Sequence, residues 1–162
     1  MLLEPRIQTI AGKTLLGKRS LMSFADNRTK ALWQSFMPVS ASILNKCGGA
    51  DLYSVEIYPA GFFEHFNPLT VFEKWAAVEV SDAGENSQGF ETLTLPGGTY
   101  AVFGYRGAAS AAAPFYRQIF DSWLPGSGYS IDDRPHFAVM GEKYRHEDDA
   151  SEEDIWIPIR PR

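Results

Sequence analysis

Segments in which polar and apolar residues alternate recur along this chain, and they constrain its fold more than any other feature. A period of two is typical of β-strands that bury one face. Residues 7–20 also have strand character, with a bend predicted at Gly12. The clearest alternating segments are residues 51–58, 71–80, 99–105, 136–140 and 154–159.

A first helix is predicted after Asp26 or Asn27, either of which can cap a helix start. Apolar residues then repeat every three or four positions from Leu32 onward. Pro38 lies inside this run, and proline lacks the N–H that a helix interior needs. We therefore expect the helix to end or kink near Met37.

A second helix is predicted over residues 107–123, where Phe115, Ile119 and Trp123 repeat at a spacing of four. Ser110 is its expected cap. The Pro-Gly pair that follows Leu124 is expected to end it.

The order strand, helix, strand, strand therefore occurs twice in one predicted domain spanning residues 1–162. The approximate halves are residues 5–88 and 89–162, and they share topology but no convincing identity. This order predicts an α+β fold in which a helix covers one face of an antiparallel sheet in each half.

Strand parity predicts where a ligand would bind. If the isoleucines of residues 154–159 face the helices together with Val55 and Val78, the opposite faces hold rings and carboxylates. Such faces would suit a cleft between the halves better than plain surface. The side chains expected on those faces are Glu56, Tyr58, Trp75, Glu79, Phe103, Tyr105, Asp154 and Trp156.

Composition excludes several classes of function. The net charge of −5 disfavours direct binding to nucleic acid or anionic membrane. The single Cys47 and the lack of a secretory signal pattern suit the cytoplasm. His65, His136 and His146 lack metal-ligand spacing, and no phosphate loop or nucleophile elbow is present. We expect neither a metal nor a cofactor.

A set of short segments, in this order and over nearly the whole chain, resembles the GyrI-like (gyrase-inhibitor-like) effector-binding family. That family is similar to the ligand-binding domains of AraC-type and MerR-type multidrug-sensing regulators. The segments are LWQSFM at 32–37, FEKWAAVEV at 72–80, LPGGTYAVF at 95–103, WLP at 123–125, GY at 128–129 and SEEDIWIPI at 151–159.

The resemblance implies two modules about a pseudo-twofold axis, with a ligand cleft between them. Many relatives place an acid in an aromatic cage, often in a Phe-Glu-x-Tyr pattern on the strand after the Trp-Leu-Pro helix. Here the matching position holds Ala138. The pocket charge must then come from another acid, or the ligand is not a cation. The acids that remain open are Glu56, Glu79, Glu142, Glu153 and Asp154.

We predict a stand-alone protein that binds cationic or amphipathic organic molecules, with a homodimer left open. The alternatives are a hydrolase of reactive toxins, with Glu142 and Tyr144 as its acid and tyrosine, and a gyrase-inhibitor-like module that binds another protein. The motif favours Glu142 and Glu153 as the pocket acid, whereas strand parity favours Glu56 and Glu79. The predicted ligand-binding residues are Trp33, Glu56, Tyr58, Trp75, Glu79, Phe103, Glu142, Tyr144, Glu153 and Trp156.

Overall fold

The computed structural model describes residues 4–47, 49, 51–84, 86, 89–108, 111–141 and 148–162. Within these residues the chain is α+β, as predicted, with antiparallel strands and helical segments on one side of the sheet. The strands are β1 (Arg6–Ile10), β2 (Lys13–Met22), β3 (Leu52–Ile57), β4 (Phe72–Glu79), β5 (Glu91–Leu95), β6 (Gly98–Arg106), β7 (Tyr129–Ile131), β8 (His136–Met140) and β9 (Glu152–Pro161). The helices are α1 (Thr29–Ser40), α2 (Ala113–Gln118), a π-helical turn (Ile119–Trp123) and the short α3 (Leu124–Gly126).

The strands form one sheet in the order β1-β6-β9-β8-β3-β4-β2-β5, with β7 paired to β9. Strands β3 and β8 lie side by side at the centre and join the two predicted antiparallel layers edge to edge. Outward from this pair, β4 and β2 follow on one side, and β9 and β6 on the other. Both halves therefore share one strand order. The pseudo-twofold axis in space stays a prediction.

A bent ribbon joins the outer strands of the two halves. β1 pairs with β6 and β2 pairs with β5 in one continuous register that crosses the bend from Ile10↔Gly98 to Lys13↔Leu95. The bend lies where Gly12 predicted it. A Cβ added to Gly97 would lie 2.7 Å from the carbonyl oxygen of Ile10, so the crossing needs a glycine.

Helix α1 covers β2 and β4 in the first half. It begins at Thr29, whose backbone N–H donates to the Asn27 side chain at 3.0 Å, and it buries Leu32 and Phe36. A helix end near Met37 is wrong, because the helix continues through Pro38 to its end at Ser40. The alternative, a kink near Met37, stays a prediction. Pro38 lies in the last turn, where its missing N–H costs a single intrahelical bond.

The second helical segment covers β6 and β9, and it packs Phe115, Ile119 and Trp123 against the isoleucines of β9. It is shorter than predicted, because α2 begins at Ala113 and passes into the π-helical turn. Ser110, the predicted cap, lies outside the described residues.

The sheet thus has two unlike faces. We call the side covered by α1 and by the second helical segment the helix face. We call the other side the packed face, because its side chains from both halves bury one another. Fully or nearly fully buried members of the packed face include Leu15, Tyr53, Val55, Trp75, Tyr100, Val102 and Phe137.

Candidate functional site

Polar and aromatic side chains meet on the helix face, over the central strands β3 and β8. These strands lie between the part of the sheet under α1 and the part under α2. Half-buried rings at the edges of the two apolar cores surround the charged groups. We call this set the central cluster; its members are Glu56, Tyr58, Phe63, Lys74, Tyr116, Phe120, His136 and Glu153.

Strand pairing fixes the middle of the central cluster. Glu56 of β3 lies directly opposite Lys74 of β4 and directly opposite His136 of β8. Residues opposite each other in an antiparallel ladder project from the same face of the sheet. The Lys74 ammonium donates to a Glu56 carboxylate oxygen at 3.1 Å, and each side chain is only 15% exposed. This pair is therefore a sheltered salt bridge.

Glu153 supplies a second carboxyl group to the central cluster. It lies on β9, opposite Tyr105 of β6, and is half-buried. Burial and the negative charge of Glu56 raise the pKa of Glu153 from 4.5 to about 7, with Lys74 opposing the shift. Near neutral pH this carboxyl is therefore divided between its neutral and charged forms.

Two tyrosines bring hydroxyl groups to the same place. Burial, followed by the charge of Glu56, raises the pKa of Tyr58 well above its usual value. The pKa of Tyr116 is raised in the same way, and Glu153 adds to the effect. Both phenols therefore stay protonated at neutral pH and can donate hydrogen bonds.

His136 lies among rings and is 6% exposed. Its imidazole centroid is 5.1 Å from that of Tyr58 and 5.4 Å from that of Phe63. Burial, assisted by the charge of Arg134, lowers the pKa of His136 to about 3. The imidazole is therefore neutral at pH 7 and behaves as another ring of the cluster.

A chain of ring contacts leads from the central cluster to the surface. Tyr58 contacts Phe62 at a centroid distance of 4.6 Å, and Phe62 contacts both Phe24 and Phe66 at 5.8 Å. Phe24 and Phe66 are about half exposed. The loop after β3 therefore carries an aromatic surface that is continuous with the central cluster.

The structure brings together three of the predicted ligand-binding residues, Glu56, Tyr58 and Glu153. Phe103 is also on the helix face, but it lies under the second helical segment, 5.2 Å from Trp123 between ring centroids. Trp33 packs edge-on against Phe36 in the core under α1. Glu142 and Tyr144 lie outside the described residues.

Trp75, Glu79 and Trp156 lie on the other face. Trp75 pairs with Val55, and Trp156 pairs with Phe137, so both indoles belong to the packed face. Glu79 accepts a hydrogen bond there from the Tyr53 hydroxyl at 3.3 Å.

The predicted common face for Glu56, Trp75 and Trp156 is therefore wrong. The alternation of side chains between the two faces was predicted correctly along each strand. The prediction placed Val55 on the same face as the β9 isoleucines, whereas the strand registers place them on opposite faces.

Ala138 occupies the position at which the family resemblance implied an acid. It is buried on the helix face, opposite Ser54 of β3 and Ile155 of β9. A methyl group thus fills the middle of β8. The described carboxyl groups of the central cluster come from Glu56 and Glu153, on the strands that flank β8.

Sequence reasoning missed several members of the central cluster. Lys74 had a signal, because it is the one charged residue on the otherwise apolar parity of residues 72–80. Phe63, Tyr116 and Phe120 lacked any local signal, since loop or helix geometry brings them to the sheet. His136 lies in a strand, but only the register of β8 with β3 places it opposite Glu56.

Neither a metal-binding group nor a membrane-spanning helix occurs among the residues that the structure describes. No group of three or more His, Cys, Asp or Glu side chains among them is arranged to hold a metal ion. None of the helices they form is both long enough and apolar enough to span a bilayer.

Comparison with known proteins assigns this architecture. A profile described as "GyrI-like small molecule binding domain" matches residues 3–160. A comparison with curated proteins finds no match.

Solved structures share the fold at low identity. The structure of SAV2435 bound to tetraphenylphosphonium has a TM-score of 0.74 and 19% identity, covering 98% of this chain and 94% of that one. The C-terminal domain of EcmrR has a TM-score of 0.70 and 14% identity, covering 100% of both chains. A hydrolase encoded by lin2189 from Listeria innocua has a TM-score of 0.61 and 9% identity, covering 98% of this chain and 93% of that one.

Proposed function

The chain belongs to the family of GyrI-like small-molecule-binding domains, and from that premise we propose that the central cluster binds an organic cation with an apolar body. The observation that carries the proposal is the half-buried Glu153 carboxyl on a face lined by aromatic rings. A cytoplasmic location and a homodimer stay predictions from the sequence.

Electrostatics favours a cation over an anion at this place. The ionised Glu153 attracts positive charge, and partial burial strengthens that attraction relative to water. Ring faces attract cations as well, by about 0.5–2 kcal/mol per well-placed contact. Tyr58, Phe63 and Phe120 supply such rings, and the neutral His136 adds no repulsion.

The apolar part of the ligand is expected to lie along the rings. Phe63 and Phe120 stack at 4.9 Å, and the ring contacts continue outward through Phe62. Aromatic side chains bury large areas with few rotors to freeze, so they suit bulky, hydrophobic ligands. SAV2435, whose fold is similar, binds tetraphenylphosphonium, a cation of this kind.

Calorimetric titration with tetraphenylphosphonium tests the proposal. We expect saturable binding at pH 8, and we expect Glu153→Gln to weaken it by about tenfold or more, since a half-buried unit charge is lost. Glu79→Gln is the matched control, because Glu79 lies on the packed face. Equal losses in the two variants, or no saturable heat with the native protein, would contradict the proposal.

A hydrolytic role is the second candidate, and one observation favours it. A carboxyl with a pKa of about 7 is well matched to proton transfer at neutral pH. Glu153 and the Tyr116 hydroxyl lie close enough to influence each other's charge. They therefore offer an acid and tyrosine pair within the described residues, where Glu142 and Tyr144 were predicted from sequence.

A substrate that is neutral and electrophilic separates the two roles. If Glu153 acts as a general base on water, Glu153→Gln abolishes turnover of an epoxide or a strained alkylating agent, while Tyr116→Phe slows it. Binding of a neutral, unreactive analogue should persist in both variants. Absence of turnover in the native protein would contradict the hydrolytic role and leave binding as the remaining candidate.

A further inference from the structure

We infer that Lys74 restricts the site to ligands with a single positive charge, because it neutralises Glu56 and leaves Glu153 as the uncompensated carboxylate among the described members of the central cluster. This inference rests on the proposed function and adds the charge class of the ligand to it.

The first step is the pairing of Lys74 with Glu56. The two residues are directly opposite on neighbouring strands, and their charged groups are 3.1 Å apart. Each side chain is 15% exposed, so water screens the pair only weakly. Breaking such a pair would leave a half-buried charge without compensation, which is unfavourable. A ligand cation therefore does not readily displace the lysine from Glu56.

The second step is that Glu153 has no such partner among the residues that the structure describes. None of the ion pairs formed between described residues includes it. Its neighbour across the strand pair is Tyr105, whose hydroxyl donates to the Ala108 carbonyl at 2.8 Å. Within the described part of the chain, the carboxyl of Glu153 thus remains available to a ligand.

The third step is the charge balance. Among the described members of the central cluster, two carboxylates and one ammonium leave one net negative charge when Glu153 is ionised. His136 contributes none, since its imidazole is neutral. A monocation brings this balance to zero, whereas a dication leaves an excess positive charge near Lys74. Lys74 would thereby act as a specificity-determining residue for ligand charge.

A charge cycle at Glu56 and Lys74 tests the inference. The variants are Lys74→Met, Glu56→Gln and the double variant Glu56→Gln/Lys74→Met, with Lys74→Arg as the conservative control. The probes are tetraphenylphosphonium, a monocation, and p-xylylene-bis(triphenylphosphonium), a dication with the same aryl groups. Calorimetry at pH 8 gives Kd for each pair.

We expect Lys74→Met to shift the ratio of the two Kd values toward the dication by about tenfold or more, because it frees the charge of Glu56. Lys74→Arg should keep the native ratio. Glu56→Gln should weaken monocation binding by about tenfold, since Lys74 then opposes the ligand. The double variant restores the net charge of the native site, so its monocation affinity should return to near the native value.

Two results would overturn the inference while leaving the proposed function standing. One is an unchanged Kd ratio in Lys74→Met when tetraphenylphosphonium still binds. The other is a double variant that binds the monocation as weakly as Glu56→Gln, which would show that packing rather than charge determines the affinity. If the native protein binds no tetraphenylphosphonium, the proposed function and this inference fail together.

Discussion

The ring of Phe63 stacks on the ring of Phe120, with centroids 4.9 Å apart and planes 21° from parallel. Phe63 lies in the loop after β3, and Phe120 lies in the π-helical turn of the second half. Both rings approach His136. The stacked pair thus connects the two halves above the central strands and forms one side of the proposed site.

Phe63→Ala is expected to weaken tetraphenylphosphonium binding by about tenfold, because it removes an aromatic surface that the ligand would contact. Calorimetric titration measures the change. Leu69→Ala is the matched control, since Leu69 belongs to the same loop but is 72% exposed. If the two variants bind equally well, Phe63 does not contact the ligand.

Cation affinity should rise with pH across the titration of Glu153. Its carboxyl is about half ionised near pH 7, so binding of a cation favours the charged form and releases a proton. Glu56 opposes this ionisation, Lys74 favours it, and Tyr116, whose pKa is raised, stays neutral throughout. Titrations at pH 6 and pH 8 in buffers of different ionisation enthalpy measure both effects. The native affinity should increase by several fold, and that of Glu153→Gln should not.

The same carboxyl makes stability depend on pH. Its folded pKa of about 7 exceeds its ordinary value of 4.5, so the folded state binds the proton more tightly. The stability that this group contributes is fully present below pH 4.5 and is lost as the pH rises through 7. Relative to the native protein, Glu153→Gln should therefore gain about 1–3 kcal/mol in unfolding free energy between pH 4.5 and 7.5.

The unfolding free energies of Glu153→Gln and the native protein must be compared at each pH, because the pH dependence of either protein alone includes other groups. His136 has its pKa lowered from 6.5 to about 3, so its contribution changes in the opposite direction as the pH rises through this range. Both proteins contain His136, and its effect cancels in the difference. Urea unfolding at each pH supplies the two free energies. A difference that stays constant with pH would show that the pKa of Glu153 is not raised by folding.

Sequence patterns predicted most strands because the alternation of polar and apolar residues along a strand can be seen without knowing which strands lie beside it. The bend at Gly12 was predicted correctly for a related reason, since close backbone approach requires glycine. β7 was missed, because its three residues are too few to show a period.

The face that each strand presents to the helices could not be obtained in the same way. Parity within β3 separates Glu56 from Val55, but only the register with β4 and β8 shows which of them faces α1 and α2. Tyr116 and Phe63 reach the central cluster through a helix and a loop, so no strand pattern indicated them. The central cluster therefore required the three-dimensional pairing.

Trp75→Phe should distinguish the two faces of the sheet. Trp75 is 4% exposed on the packed face, and its indole N–H donates to Glu73 at 2.7 Å. Its loss should lower the unfolding free energy by about 1–3 kcal/mol through the cavity and the lost hydrogen bond. Tetraphenylphosphonium affinity, measured by calorimetry, should change by less than about twofold, because the sheet separates Trp75 from the central cluster. A loss comparable to that of Phe63→Ala would place the ligand on the packed face instead.

Gly97→Ala should destabilise the fold because of the ribbon crossing. The added Cβ would lie 2.7 Å from the Ile10 carbonyl oxygen and 2.9 Å from the Gly12 nitrogen, and backbone atoms cannot turn aside as a flexible side chain can. Forcing the strands apart should cost about 2 kcal/mol or more in unfolding free energy, measured by urea denaturation. Gly126→Ala is the matched control, because a Cβ there meets nothing within 4 Å and its position is helical. Equal stability in the two variants would mean that the ribbon tolerates a side chain at its bend. In that case, the glycine would not be required to keep the β1–β6 and β2–β5 pairs in one register.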